Sequence, residues 1–176
     1  MSHDHSLPVC PGCVRLAEPA DEDALLSMVQ EMHADAEWGL RDHQGGLFPF
    51  SPDKARAAIQ RAIIPQRNDP DANNAWIGVV GVPGGDLRGS AYVHVAAPWC
   101  SEGTYLTEVW NWVYPEHRRS DVSKSLISFS MAIADRMRLT LISAAITRER
   151  MAKARLYERK IGPPIGSLFL YNIGSA

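Results

Sequence analysis

The sequence predicts a mixed α/β (α+β) domain, with a central, mostly antiparallel sheet and helices on both faces. Two observations carry this. Helical and extended hydrophobic periods succeed one another in the order β, α, α, β, β, β, α, β, α, β. The middle strands are joined by a short turn, as in a hairpin, whereas the later strand–helix–strand unit is long enough for a parallel crossover. The chain has 176 residues, 45% of them hydrophobic and 22% charged. That is one domain by size, and enough chain to bury a core without staples. Residues 1–13 read as an N-terminal tail and residues 14–176 as the single domain.

Each element has its own signal. Residues 14–16 form a short first strand, closed by Pro19. Asp21 reads as a helix N-cap, with Glu22 and Asp23 in the first turn and a stripe of Leu25, Val29, Met32 and Ala36. Ser51-Pro52 starts a second helix, an N-cap followed by proline; Ala55, Ile59, Ala62 and Ile63 form its apolar face and Pro65 ends it. Residues 66–74 are a polar loop. Residues 75–80 and 87–96 read as two strands around the turn Pro83-Gly84-Gly85-Asp86. Residues 104–114 are a third long strand, rich in Thr, Val, Trp and Tyr. Residues 123–137 form the longest helix, striped by Leu126, Ser130, Ile133 and Met137. The apolar run 139–146 reads as a strand buried on both faces. A charged helix over 150–160 follows, ended by Gly162-Pro163-Pro164, and a last strand covers 167–173.

Composition excludes several classes. The net charge is −2, so there is no general nucleic-acid footprint. No stretch approaches the ~18 consecutive apolar residues of a membrane helix, and no secretory signal is visible, which together point to the cytoplasm. Cys10, Cys13 and Cys100 are an odd set of thiols, in keeping with a reducing compartment. Cys10-Pro-Gly-Cys13, with His3 and His5 near it, has spacing that fits a structural zinc site. The alternative is a mobile polar tail. No Walker loop, GxSxG or HExxH occurs, and no metal is expected as a cofactor.

The segment Glu108-Val-Trp-Asn-Trp-Val-Tyr-Pro-Glu-His-Arg-Arg-Ser-Asp-Val-Ser-Lys-Ser-Leu-Ile127 carries most of the chemistry. It joins a strand to a helix start through a proline-marked loop. Unpaired amides at a helix N-terminus, backed by Arg118, Arg119 and Lys124, suit a phosphate or diphosphate. The plain reading is a solvated basic connection capped by Ser120 or Asp121. Downstream, residues 148–160 hold six basic residues against two acidic ones, which reads as a solvated face or a polyanion contact.

Val113-x-Pro115-Glu116-His117-Arg118 resembles the strand-end Val-x-Pro-x-x-Arg of the GNAT acyltransferase superfamily. Ala154-Arg-Leu-Tyr157-Glu-Arg-Lys-Ile-Gly162 is similar to the family's Ala-x-Leu-Tyr-Glu-Lys-x-Gly, with one residue more before the glycine. The element order matches over residues 14–173. The resemblance implies a GNAT-like acyl-CoA N-acyltransferase fold, its sheet splayed between two strands, and acetyl-coenzyme A as acyl donor. The pyrophosphate would be held by Arg118, Arg119, Ser120, Asp121, Val122, Ser123 and Lys124. The pantetheine arm would pair with the backbone of Trp112, Val113 and Tyr114 like an added strand. Where the family has two glycines, this chain has Asp121 and Ser123. A side chain there crowds a diphosphate, and a carboxylate repels it. If Asp121 turned back to cap the helix, the amides of Arg119, Ser120, Val122 and Ser123 would stay free.

The resemblance also implies direct attack of an amine on the thioester, with a carboxylate base and a tyrosine acid. Tyr157 stands at the family's tyrosine position, and Glu108 is the candidate base. Strict alternation puts Glu108 on one face with Trp110, Trp112 and Tyr114; a bulge, common in this strand of the family, would change that. Asn111 could orient substrate or water. The acceptor, a small molecule or protein amine, would be selected by residues 38–50, with His43, Phe48 and Phe50. A homodimer is left open. The alternative function is a GNAT-like module that has lost coenzyme A binding and binds or modifies nucleic acid, or is catalytically silent.

Overall fold

The computed structural model describes residues 14–38, 49–64, 74–98, 100, 102–144 and 150–164. Its elements are β1 (Arg15–Leu16), α1 (Glu22–Trp38), α2 (Pro52–Ile63), β2 (Ala75–Gly81), β3 (Leu87–Ala96), β4 (Tyr105–Val113), α3 (Val122–Met137), β5 (Leu141–Ile142) and α4 (Arg150–Lys160). Short 3-10 turns, Pro19–Asp21 and Pro115–His117, precede α1 and α3. The sheet runs β1-β2-β3-β4-β5. Pairing is antiparallel except between β4 and β5, which lie parallel. This is the mixed, mostly antiparallel sheet that the periodicity predicts. The expected last strand over 167–173 lies outside the described residues.

The core has two layers. Leu25 and Met28 of α1 and Ile59 and Ile63 of α2 pack on Ile77, Val79, Tyr92, Trp110 and Trp112. On the other face Val122, Leu126, Phe129 and Ile133 of α3 pack on Val80, Ala91, Val93, Leu106 and Val113. Each such apolar side chain contributes about 1.5–3 kcal/mol when taken fully out of water. The buried Trp110 indole donates to Ser90 Oγ at 2.9 Å, and that hydroxyl lies 3.0 Å from Met28 Sδ. Gly89 sets how closely α3 approaches the sheet. A Cβ there would lie 2.9 Å from both the Trp112 carbonyl oxygen and Val122 Cγ1. Its absence seats the first turn of α3 directly beside the end of β4.

Two expectations need correction. Asp21, read from sequence as the N-cap of α1, accepts from no α1 amide among the described residues. It ends the 3-10 turn and is fully buried. It accepts from Arg15 at 2.7 and 2.8 Å, from the Glu18 amide at 3.0 Å and from the Gly84 amide at 3.1 Å. It therefore ties β1 and the 3-10 turn to the β2–β3 turn. Within its described part, residues 139–144, the run 139–146 is not a long strand buried on both faces. Only Leu141 and Ile142 pair, with Leu106 and Thr107, and Ile142 is 46% exposed. β4 continues six residues past Thr107, to Val113, without β5 beside it. Among the described residues that edge of β4 has no strand partner past Thr107, and the site opens there.

Candidate active site

Strand β4 is not regular. Tyr92 pairs with Trp110 while its neighbour Val93 pairs with Glu108, so Val109 is an extra residue facing outward at 50% exposure. A bulge of this kind reverses the face of everything on one side of it. Trp110 and Trp112 point to the α1–α2 layer. Glu108 and Asn111 turn to the opposite face, toward α3 and α4. Strict alternation is thus overturned at Glu108.

Glu108 is a buried carboxylate, 8% exposed, among hydrogen-bond donors. The Tyr157 hydroxyl donates to Oε1. Asn111 Nδ2 and Ser130 Oγ each lie 3.3 Å from Oε2 as donors. Burial pushes the Glu108 carboxyl above its ordinary value, against the opposing pull of Lys153 and these donors. Burial, then the Glu108 charge, pushes the Tyr157 phenol well above its ordinary value. It stays protonated at any working pH. Lys153 enters from α4: its Nζ donates to the Asn111 carbonyl at 2.6 Å and lies 5.6 Å from the centre of the Tyr157 ring. Burial lowers its basicity, opposed by Glu108 and reinforced by Arg118.

The open edge of β4 presents alternate carbonyls. Tyr114 donates its amide to Arg88 across the sheet, so Tyr114 and, by alternation, Trp112 face β3. The groups on the open edge are those of Asn111 and Val113. Their oxygens are held by Lys153 Nζ and, at 3.2 Å, by Arg118 Nε. Arg118 also donates to Asp35 of α1 at 3.0 Å and lies 5.8 Å from the Trp112 ring centre. Arg118, expected at the diphosphate, lines the basic end of the cleft, and its guanidinium also ties β4 to α1.

The loop before α3 divides into spent and available amides. Those of His117, Arg118 and Ser120 donate to backbone oxygens within the turn, and that of Val122 donates to Ser120 Oγ at 3.3 Å. Asp121 holds the N-cap position of α3, but it is the Ser120 hydroxyl that takes an amide of the first turn. Asp121 makes no capping bond and pairs with Lys124 Nζ at 2.6 Å. Among the described residues, the amides of Arg119, Ser123 and Lys124 have no partner. No residue of this loop has a positive φ, so the backbone itself does not require glycine at 121 or 123.

These parts line one cleft of about 310 Å³. Asn111, Trp112 and Val113 form its sheet wall; Arg118, Arg119, Ser120, Ser123, Lys124 and Ile127 form the α3 end. Ala152, Lys153, Leu156 and Arg159 of α4 form the opposite wall. A diphosphate-sized basic end, an apolar slot and a strand edge are continuous.

No protein-family model and no curated protein sequence matches this chain. Solved structures do. AAC(6′)-Iy in complex with the bisubstrate analogue CoA-S-monomethyl-acetylneamine superposes with a TM-score of 0.61 at 13% identity, covering 91% of this chain and 96% of that one. The ribosomal-protein-alanine N-acetyltransferase of Brucella melitensis biovar Abortus 2308 gives 0.58 at 16% identity, over 91% and 99%. A predicted acetyltransferase of Clostridium acetobutylicum with acetyl-CoA gives 0.60 at 11%, over 90% and 94%.

The chain has the GNAT acyltransferase fold. In that fold the cleft lies where β4 and β5 part, beside the first turn of α3. Of the residues named from sequence, Glu108 and Tyr157 meet directly, while Asp121 stays exposed beside Lys124. Ser130 and Lys153 were legible only as a helix-stripe residue and as part of a basic helix. A buried serine on an apolar stripe was the one available signal for the first, and nothing in the sequence marked the second. Cys10, Cys13, His3, His5, His43 and Phe48 lie outside the described residues. Phe50 packs against the α1–α2 layer and stacks with His33 at 5.4 Å. Among the described residues there is no cluster of three or more metal-ligating side chains, and no helix long and apolar enough to cross a membrane.

Proposed function

We propose that the protein transfers an acyl group, acetyl in the simplest case, from an acyl-coenzyme A to an amine. The observation that carries this reading is the continuity of the cleft: free amides and cations at the α3 end lead along the open edge of β4 to Lys153 and Leu156 of α4, and the bonded pair Tyr157 and Glu108 lies buried behind that wall. The residues present suit such a donor. The Arg119, Ser123 and Lys124 amides, with the Arg119 and Lys124 side chains, would take the diphosphate. The Asn111 and Val113 carbonyls would take the pantetheine amides once Lys153 and Arg118 yield them.

A thioester supplies an activated carbonyl and a thiol leaving group. This chain's own residues supply the proton chemistry. Glu108 accepts the proton of the attacking amine, and Tyr157 gives its proton to the departing sulfur. Because the two are hydrogen-bonded, the proton gained by Glu108 can restore the phenol, and the pair ends as it began. Burial favours this cycle. The raised basicity of Glu108 makes it a better acceptor for the amine proton, and the proton it then holds passes to Tyr157 as the phenol gives its own to sulfur. Aminoglycoside antibiotics and ribosomal-protein alanine, for which two acetyltransferases of this fold are named, are the first acceptor classes to test.

Calorimetric titration with acetyl-coenzyme A and with coenzyme A tests the reading. Binding at micromolar to millimolar ligand is expected. A folded protein that gives no heat with either ligand at millimolar concentration would remove it.

A further inference from the structure

We propose that Lys153 is itself an acyl acceptor, so that the protein acylates its own cleft wall. The inference rests on the acyl-coenzyme A reading, and goes beyond it by naming a modification site. Three facts carry it. Lys153 lines the cleft. Its amine holds the Asn111 carbonyl at 2.6 Å, on the strand edge along which the donor would lie. It lies 5.6 Å from the centre of the Tyr157 ring, and Tyr157 in turn bonds Glu108. An amine, a carboxylate and a phenol therefore meet within one chain, and these are the nucleophile, base and acid that acyl transfer needs.

The other lysines differ. Lys54 and Lys160 are exposed and do not line the cleft, and Lys124 is bound to Asp121 at its α3 end. The charged groups that act on Lys153 are Glu108 and Arg118, with the neutral Tyr157 beside it. Burial and Arg118 favour the unprotonated, nucleophilic amine, while Glu108 opposes them.

The step balances without any further reactant. The neutral Nζ forms a bond to the thioester carbonyl carbon, and the carbon–sulfur bond breaks. Sulfur leaves with the electron pair and takes the Tyr157 proton. The amine proton passes to Glu108, which returns it to Tyr157. The products are Nε-acyl-lysine and the free thiol. The acyl-lysine keeps one N–H for the Asn111 carbonyl but loses its charge. It also adds bulk to the slot, so donor affinity falls.

The experiment incubates the full chain with acetyl-coenzyme A, reads intact mass and maps the modified peptide, with coenzyme A binding measured on the same sample by calorimetry. The expected result is addition of a single acetyl group, at Lys153, at least ~10-fold faster than at Lys54, Lys124 or Lys160. Lys153→Arg, verified as folded by its melting curve, should lose that addition. If the variant does not fold, the peptide map of the unaltered chain decides alone. Binding of coenzyme A with Lys153 unmodified, or modified no faster than the exposed lysines, would overturn this inference and leave the donor reading standing. Absence of both binding and modification would overturn both.

Discussion

Glu108 and Asn111, three residues apart on one strand, share a hydrogen bond of 3.3 Å. An unbroken strand forbids this, because residues i and i+3 point to opposite faces. The outward bulge at Val109 brings both side chains to the face of α3 and α4, and so decides which of the two core layers receives a carboxylate. On the α1–α2 side Glu108 would meet indole rings. On the α3–α4 side it meets three hydroxyl or amide donors and an amine.

Glu108→Gln should leave the fold intact and lower the rate of amine-dependent thiol release from acetyl-coenzyme A by ~10²–10⁴-fold. The amide keeps an acceptor for Tyr157 but cannot take up the amine proton. Its melting temperature should equal or exceed that of the unaltered chain near pH 8. The folded carboxyl binds its proton above the unfolded value of about 4.5, so its ionisation destabilises the fold as pH rises through that window. An equal rate in Glu108→Gln and the parent would exclude this role.

The acidic limb of the rate profile should report Glu108. Activity requires the ionised carboxylate, so it is lost as pH falls through a value above the ordinary 4.5. The Tyr157 hydrogen bond opposes that upward displacement. Tyr157→Phe should therefore move the limb to still higher pH, as well as lowering the maximal rate ~10²-fold with little change in KM. A limb that stays in place would separate the two residues mechanistically.

How legible was this site in the sequence? The helices and hairpin follow from local rules. Ser51 caps α2, its hydroxyl accepting from the Lys54 amide at 3.4 Å, and Ile59 and Ile63 are buried as their spacing requires. The strand-to-helix loop and Tyr157 were also visible, because both sit in short contiguous motifs. The failures are non-local. Asp21 has the composition of a cap, yet Arg15 and the Gly84 amide, the latter 63 residues away, draw it into the interior. Arg118 lines the cleft as its motif implies, but its second engagement, with Asp35, 83 residues distant, has no local signal. A bulge leaves no mark in a strand whose residues are aromatic and apolar on both faces, so Glu108 could not be assigned a face from periodicity.

The three cations of the loop should separate by experiment. Arg119→Ala and Lys124→Ala remove groups that line the basic end of the cleft. Each should weaken coenzyme A binding by roughly tenfold, about 1.4 kcal/mol, with no change in melting temperature. Arg118→Ala removes bonds to Val113 and Asp35. It should lower the melting temperature, corresponding to a loss of about 1–2 kcal/mol, because a partly buried carboxylate and a strand carbonyl lose their donor. Calorimetry and thermal melts on the same samples distinguish the two patterns; identical patterns for all three would refute the division.

Asp121 is exposed and pairs with Lys124, so its carboxylate offsets a charge that the diphosphate would otherwise use. The backbone there, φ −79°, suits any residue. Asp121→Asn should therefore tighten coenzyme A binding by a few-fold, roughly 2–5-fold, with the gain shrinking as salt is raised. Lost stability should be small, since both side chains of the pair are exposed and screened by solvent. Unchanged affinity at low salt would mean that the carboxylate does not face the ligand.

The Arg15–Asp21 pair predicts where the fold weakens in acid. Burial alone would raise the Asp21 carboxyl, but Arg15 and the Glu18 and Gly84 amides outweigh it and hold the group below its ordinary 3.8. The unfolded chain takes up a proton near 3.8, and the folded chain only at lower pH. The stabilisation is therefore complete above 3.8 and is lost as pH falls through the folded value. Asp21→Asn leaves Arg15, only 17% exposed, without its counter-charge, and should cost about 3 kcal/mol at neutral pH. The variant's denaturation midpoint should also fall less steeply between pH 4 and 3 than the parent's, because the titrating group has been removed. Parallel acid slopes for the two proteins would show that Asp21 is not the group through which acid loosens the β1 edge of the sheet.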